Sequence, residues 1–111
     1  MPLFLFQTRS SGDLAGVLEE DGGTLDFYLY RVEEGGPGRI YQELRLGEGD
    51  LGLAEADLEI AWDAREELVG LRIRGTLWAA FDVVTGEVHG GRYARDTVPW
   101  IPRDIAARLS R

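Results

Sequence analysis

Apolar and polar residues alternate along most of this chain, and glycines punctuate the alternation. A period of two places successive side chains on opposite faces of an extended strand, so the pattern predicts strands and not helices. The predicted strands cover residues 3–8, 14–20, 24–32, 39–46, 57–62, 68–74, 76–84 and 87–93. Asp21-Gly22-Gly23 closes the second and third into a hairpin. In the third strand Leu25, Phe27 and Leu29 share one face, while Asp26, Tyr28 and Tyr30 share the other.

The last three strands support a register. A two-residue loop at Thr85-Gly86 sets Val83 against Val88, Asp82 against His89 and Trp78 against Tyr93. Leu77, Ala79, Phe81 and Val83 then form the core face. In the preceding hairpin, a three-residue loop near Gly75 pairs Ile73 with Leu77, Leu71 with Ala79 and Val69 with Phe81. A two-residue loop would mix the faces, so alternation favours the longer loop or an equivalent bulge.

Near the C-terminus the period changes. Ile101, Ile105 and Leu109 are four apart, Pro102 stands near the first turn, and Arg108 and Arg111 fall in the last. These are the marks of a short amphipathic helix. The expected fold is mainly β, α+β at the margin. It is a single antiparallel meander or roll of about eight strands, with the short C-terminal helix across one face.

A length of 111 residues makes one domain, 1–111, the natural organisation. There is no cysteine, which removes thiol nucleophiles, redox pairs and thiolate metal sites. The apolar start Leu3-Phe4-Leu5-Phe6 has no basic residues before it, so a first strand is expected there and not a signal peptide. No apolar run approaches the ~20 residues that cross a bilayer, and a cytoplasmic protein of bacterial type is the expectation.

The net charge is −8, and all twelve basic residues are arginine. Nucleic-acid binding depends on phosphate neutralisation, so this balance argues against nucleic acid and against anionic membranes as partners. It permits a basic protein partner through electrostatic steering. The absence of asparagine and cysteine suits a thermophile, and a GC-rich genome would leave much the same bias.

Candidate chemistry is sparse. An Asp82–His89 pair would be half of a nucleophilic or general-base site. The other half is missing: serine occurs only at Ser10, Ser11 and Ser110, with no Gly-x-Ser-x-Gly motif. One histidine excludes the usual zinc sets, and the acids Glu48, Asp50, Glu55, Asp57 and Glu59 lack calcium-loop spacing. Gly35-Gly36-Pro37-Gly38 has no lysine and opens no helix, so it is no phosphate cradle. No catalytic residue, metal site or cofactor is expected, and the balance leans away from an enzyme.

One feature rises above this background. The register places Tyr28, Tyr30, Arg72, Trp78, Asp82, His89 and Tyr93 on the non-core face, with Tyr41 and Arg45 joining if the fourth strand is adjacent. Tyrosine, tryptophan and arginine are enriched at binding hot spots. Two accounts are open: the C-terminal helix, with Trp100 and Ile101, covers this face as a second small core, or the face stays open and binds. Partial cover is the expectation.

Some stretches have a familiar look. Glu19-Glu20-Asp21-Gly22-Gly23-Thr24-Leu25-Asp26-Phe27-Tyr28 precedes Arg39-Ile40-Tyr41, and Ile60-Ala61-Trp62, Leu71-Arg72-Ile73-Arg74-Gly75, Ala80-Phe81-Asp82 and Gly86 follow. Across residues 14–100 this order resembles domain-of-unknown-function family 2251, a family of small bacterial proteins, although Val83-Val84-Thr85 is more apolar than the family pattern. The resemblance implies one uncharacterised domain; it implies no activity and carries over no functional residue.

The first expectation for function is therefore a non-enzymatic protein-interaction domain that engages a protein partner or itself. An immunity-like role against a basic toxin is one version. The alternative is a small-ligand binder or enzyme using Asp82, His89 and an arginine such as Arg92 in a curved sheet. A third is a structural homodimer, joined through the open face or the edge of the first strand.

Overall fold

The computed structural model describes residues 3–21, 23–33, 35–49, 51–93, 95 and 99–110. Gly22 of the expected hairpin turn, Glu34, Asp50 and Arg111 lie outside the described residues. The eight strands and the helix form in the expected order: β1 (Leu3–Thr8), β2 (Leu14–Glu20), β3 (Thr24–Arg31), β4 (Arg39–Glu48), β5 (Leu58–Trp62), β6 (Leu68–Ile73), β7 (Thr76–Asp82), β8 (Val88–Gly90) and α1 (Arg103–Arg108). They are divided between two antiparallel sheets of four, ordered β1-β2-β3-β4 and β5-β6-β7-β8. The meander breaks after β4, where Gly49 and Gly52 take positive φ (80° and 67°) and a 3-10 turn, Glu55–Asp57, leads into β5.

Alternation explains the packing. Leu25, Phe27 and Leu29 turn inward from β3, as the pattern requires, and the inner faces of the two sheets meet over a shared core. Phe27 and Phe81 stack at its centre with ring centroids 4.9 Å apart, and both are fully buried. Burial of a side chain this size contributes about 2–3 kcal/mol. Gly16 lets the sheets pack closely: a Cβ there would lie 2.6 Å from Val69 Cγ2.

The β6–β7 hairpin takes the bulged alternative. Its turn is the two-residue Arg74-Gly75, both at positive φ (50° and 85°). Ile73 therefore pairs with Thr76, not Leu77, while Leu71–Ala79 and Val69–Phe81 pair as expected. The register shifts between, leaving Trp78 as the extra residue of the bulge. The expected faces are consequently exchanged at two positions. Trp78 is buried in the main core at 6% exposure, and Leu77 packs instead with the helix cluster.

The β7–β8 register also differs from expectation, by two residues. The loop contains Val83-Val84-Thr85-Gly86, with the Asp82 amide bonded to the Glu87 carbonyl at 2.9 Å. Asp82 Oδ1 causes this by accepting from the Val84 and Thr85 amides (2.9 and 3.1 Å), which curls the chain early. Val88 thus pairs with Phe81, His89 with Ala80 and Gly90 with Ala79, in place of Asp82–His89.

Helix α1 lies on the outer face of the second sheet. Ile105 and Leu109 pack on Leu68 and Ala80, with Leu77 and Ile101 beside them. Gly70 makes room beneath: a Cβ there would sit 2.8 Å from Leu109 Cδ1 and 2.7 Å from Leu77 Cδ1. Arg108 ties the helix down through Asp63 (2.7 Å) and Glu67 (3.0 Å), and Asp63 Oδ1 also accepts the Glu67 and Leu68 amides. The same end of the sandwich is latched by Arg9, whose guanidinium grips Asp13 through two 2.7 Å bonds and donates to the Glu66 carbonyl. The Trp62 indole donates to the Gln7 carbonyl at 2.9 Å, joining the β5 edge to the β1 edge. Among the described residues, no helix is long and apolar enough to cross a membrane.

Candidate functional site

The second sheet has α1 over its outer face; among the described residues, nothing lies over that of the first. Strand register builds that face in rows. Phe6, Val17, Tyr28 and Glu43 stand side by side across the four strands; Thr8, Ala15, Tyr30 and Ile40 form the next row, and Phe4, Glu19, Asp26 and Arg45 the row on the other side. Phe4 and Phe6 are 58% and 62% exposed, with ring centroids 6.1 Å apart. Ile40 and Val32 are also exposed. A shallow depression of about 360 Å³ runs between the β1 phenylalanines and Tyr28 and Tyr30, floored by Ala15 and Val17.

The polar groups around this face are ordered. Gly38 donates its amide to the Tyr30 hydroxyl at 2.8 Å, holding that ring against the β3–β4 loop. Arg31 donates to the Tyr41 hydroxyl at 2.7 Å and stacks 5.8 Å from its ring centre. Arg45 pairs with Asp26 at 3.0 Å. Burial raises the Tyr28 hydroxyl pKa above its ordinary value, and the charge of Glu19, the Tyr30 hydroxyl and the charges of Glu43 and Asp26 raise it further. Tyr28 is therefore a neutral, amphipathic centre with carboxylates at its flanks.

The seven residues expected to share one face occupy three places, because they belong to two sheets and not one. Tyr28 and Tyr30 are on the open face, where Arg45 joins them; Tyr41, the extra residue of a β4 bulge, instead lines a cavity with Leu29 and Asp82. Arg72 lies on the outer face of the second sheet, bonded to Glu59 at 2.6 Å, beside a cavity of about 670 Å³ under α1. Asp82 and His89 are on that sheet too, but they do not face each other. Trp78 is in the main core, with Tyr93 edge-on to it at 5.2 Å. Their contact is the one the expected register required, made on the inner side because of the bulge.

Helix cover falls on the Arg72–His89 half, through Ile101, Ile105 and Leu109, while Trp100 remains 71% exposed. Among the described residues, nothing covers the Tyr28–Tyr30 half.

For the catalytic alternative, the three groups do not converge. Asp82 lines a cavity of about 260 Å³ with Tyr41 and Gln42, and its Oδ1 is occupied by two backbone amides. Arg92 lines a different recess, beside Leu46 and Glu48. His89 Nε2 is 3.3 Å from Glu87 Oε2 without hydrogen-bond geometry, so that buried nitrogen has no hydrogen-bond partner among the described residues. Among the described residues, no three His, Asp or Glu side chains converge as a metal ion would require.

Phe4, Phe6, Val17 and Ile40 are the members of the open face that sequence reasoning missed. The signal was in Leu3-Phe4-Leu5-Phe6, apolar on both faces of a strand where alternation elsewhere leaves one face polar. No protein-family model, curated protein or solved structure matches the chain.

Proposed function

We propose that this protein is a non-enzymatic interaction domain of the cytoplasm, and that the outer face of its first sheet is where a protein partner docks. The observation that carries this reading is the exposure of Phe4 and Phe6 at 58% and 62%, beside the depression they share with Tyr28 and Tyr30. Contiguous apolar surface of this kind, rimmed by polar groups, marks interaction sites. Aromatic side chains are enriched there.

The test is Phe6→Ser. A partner identified from the native host and purified should bind the wild type and lose about tenfold or more in affinity for Phe6→Ser. Thermal unfolding of that variant should be nearly unchanged. Equal binding by both proteins would refute the proposal.

A further inference from the structure

We infer that the partner presents an apolar ridge flanked by lysine or arginine, carried by a segment of another protein and not by a second copy of this chain. This rests on the docking reading of the first sheet. Two carboxylates carry the inference. Glu43 stands directly opposite Tyr28 in β4, and Glu19 lies in β2 on the far side of Tyr28, one row along. Standard strand spacing puts them roughly 12 Å apart, with Tyr28 and Asp26 of β3 between. Neither forms an ion pair among the described residues: Arg45 bonds Asp26 at 3.0 Å and reaches Glu43 only through its longer-range field.

An apolar partner settling on Tyr28 would take water from both carboxylates. Leaving them unpaired is costly, and a cation at each flank removes the cost. A second copy has little to offer there. The arginines bordering its own face are engaged, Arg45 by Asp26, Arg31 by the Tyr41 hydroxyl and Arg39 by Glu33 at 3.9 Å. It would instead bring the same two carboxylates and a further net charge of −8. Like charge across an interface is a specificity barrier, and the same excess of acid steers a cationic partner in.

The experiment uses two synthetic helical peptides with the same leucine face, one flanked by lysines and one by glutamates, titrated calorimetrically into the intact protein. The lysine peptide should bind about tenfold or more tightly than the glutamate peptide, and less tightly as salt rises. Glu19→Gln/Glu43→Gln should lose about tenfold for the lysine peptide. Glu55→Gln/Asp104→Asn, equal in charge change but away from this face, should not. Equal binding of both peptides, or equal loss in the two double variants, overturns the inference and leaves the docking surface standing. A concentration-dependent dimer in light scattering that Phe6→Ser dissolves also overturns it, and names the second copy as occupant. A monomer that binds neither peptide overturns both.

Discussion

Trp78 and Phe6 show how far a side chain's role depends on one step of register. Both were apolar aromatic residues in alternating strands, and the sequence pattern assigned Trp78 to the outer face. The bulge turned it inward to 6% exposure, while Phe6 stayed 62% exposed. Trp78→Ala should therefore cost about 3–5 kcal/mol by opening the core. Phe6→Ser should stay within about 0.5–1 kcal/mol. Urea unfolding of the two variants beside the wild type checks the contrast. A large loss for Phe6→Ser would make that residue structural. The bulge was legible only as an alternative to a three-residue loop, because periodicity specifies which residues share a face and leaves open where an extra residue is absorbed. The Asp82–His89 pair was lost for a comparable reason. The Asp82 carboxylate prefers the two nearby amides of its own turn, and that local bond moves every later pair by two.

At the scale of elements, the strands could be read closely and their grouping could not. The limits of β1 and β2 were those expected, and the others differ by a few residues at their ends. Division into two sheets depends on Gly49, Gly52 and the turn before β5, and glycine in a loop says that the chain can bend without saying where it goes. The helix was foreseen from Ile101, Ile105 and Leu109; its seat over Gly70 was not. That seat is a testable coupling. Gly70→Ala should destabilise by about 1–3 kcal/mol, because the new methyl meets Leu109 and Leu77. Adding Leu109→Ala should cost less in the Gly70→Ala background than in the wild type, since part of the clash is already relieved. Strict additivity in thermal unfolding would mean the helix does not rest on Gly70.

Across the whole molecule, one end of the sandwich is held by carboxylates that stay ionised. Two bonds from Arg9, with help from Ser11, hold the Asp13 carboxyl far below its ordinary range. Burial acts to raise Asp63, but the Leu68 and Glu67 amides and Arg108 outweigh it and hold that carboxyl low. Ser10 lowers Glu66 through its hydroxyl and its amide. In each case the unfolded chain binds protons more readily than the folded one. Their contribution is therefore complete above the ordinary carboxylate pKa, about 4, and drains away as pH falls through the lower folded values. The unfolding temperature should be flat from about pH 7 to 5 and fall steeply below about pH 4, and less steeply in Asp13→Asn. A midpoint insensitive to acid would contradict the latch.

The bond from Trp62 to the Gln7 carbonyl has a consequence outside the monomer. β1 is an edge strand with an apolar face, the kind of template along which fibrils add chain after chain. An indole from the opposite sheet bonds to the backbone of that edge strand, so β1 is tied to its own sandwich and resists peeling away to join an incoming chain. The protein can thus keep a sticky surface for a chosen partner while resisting the release of the strand that exchange between copies would need.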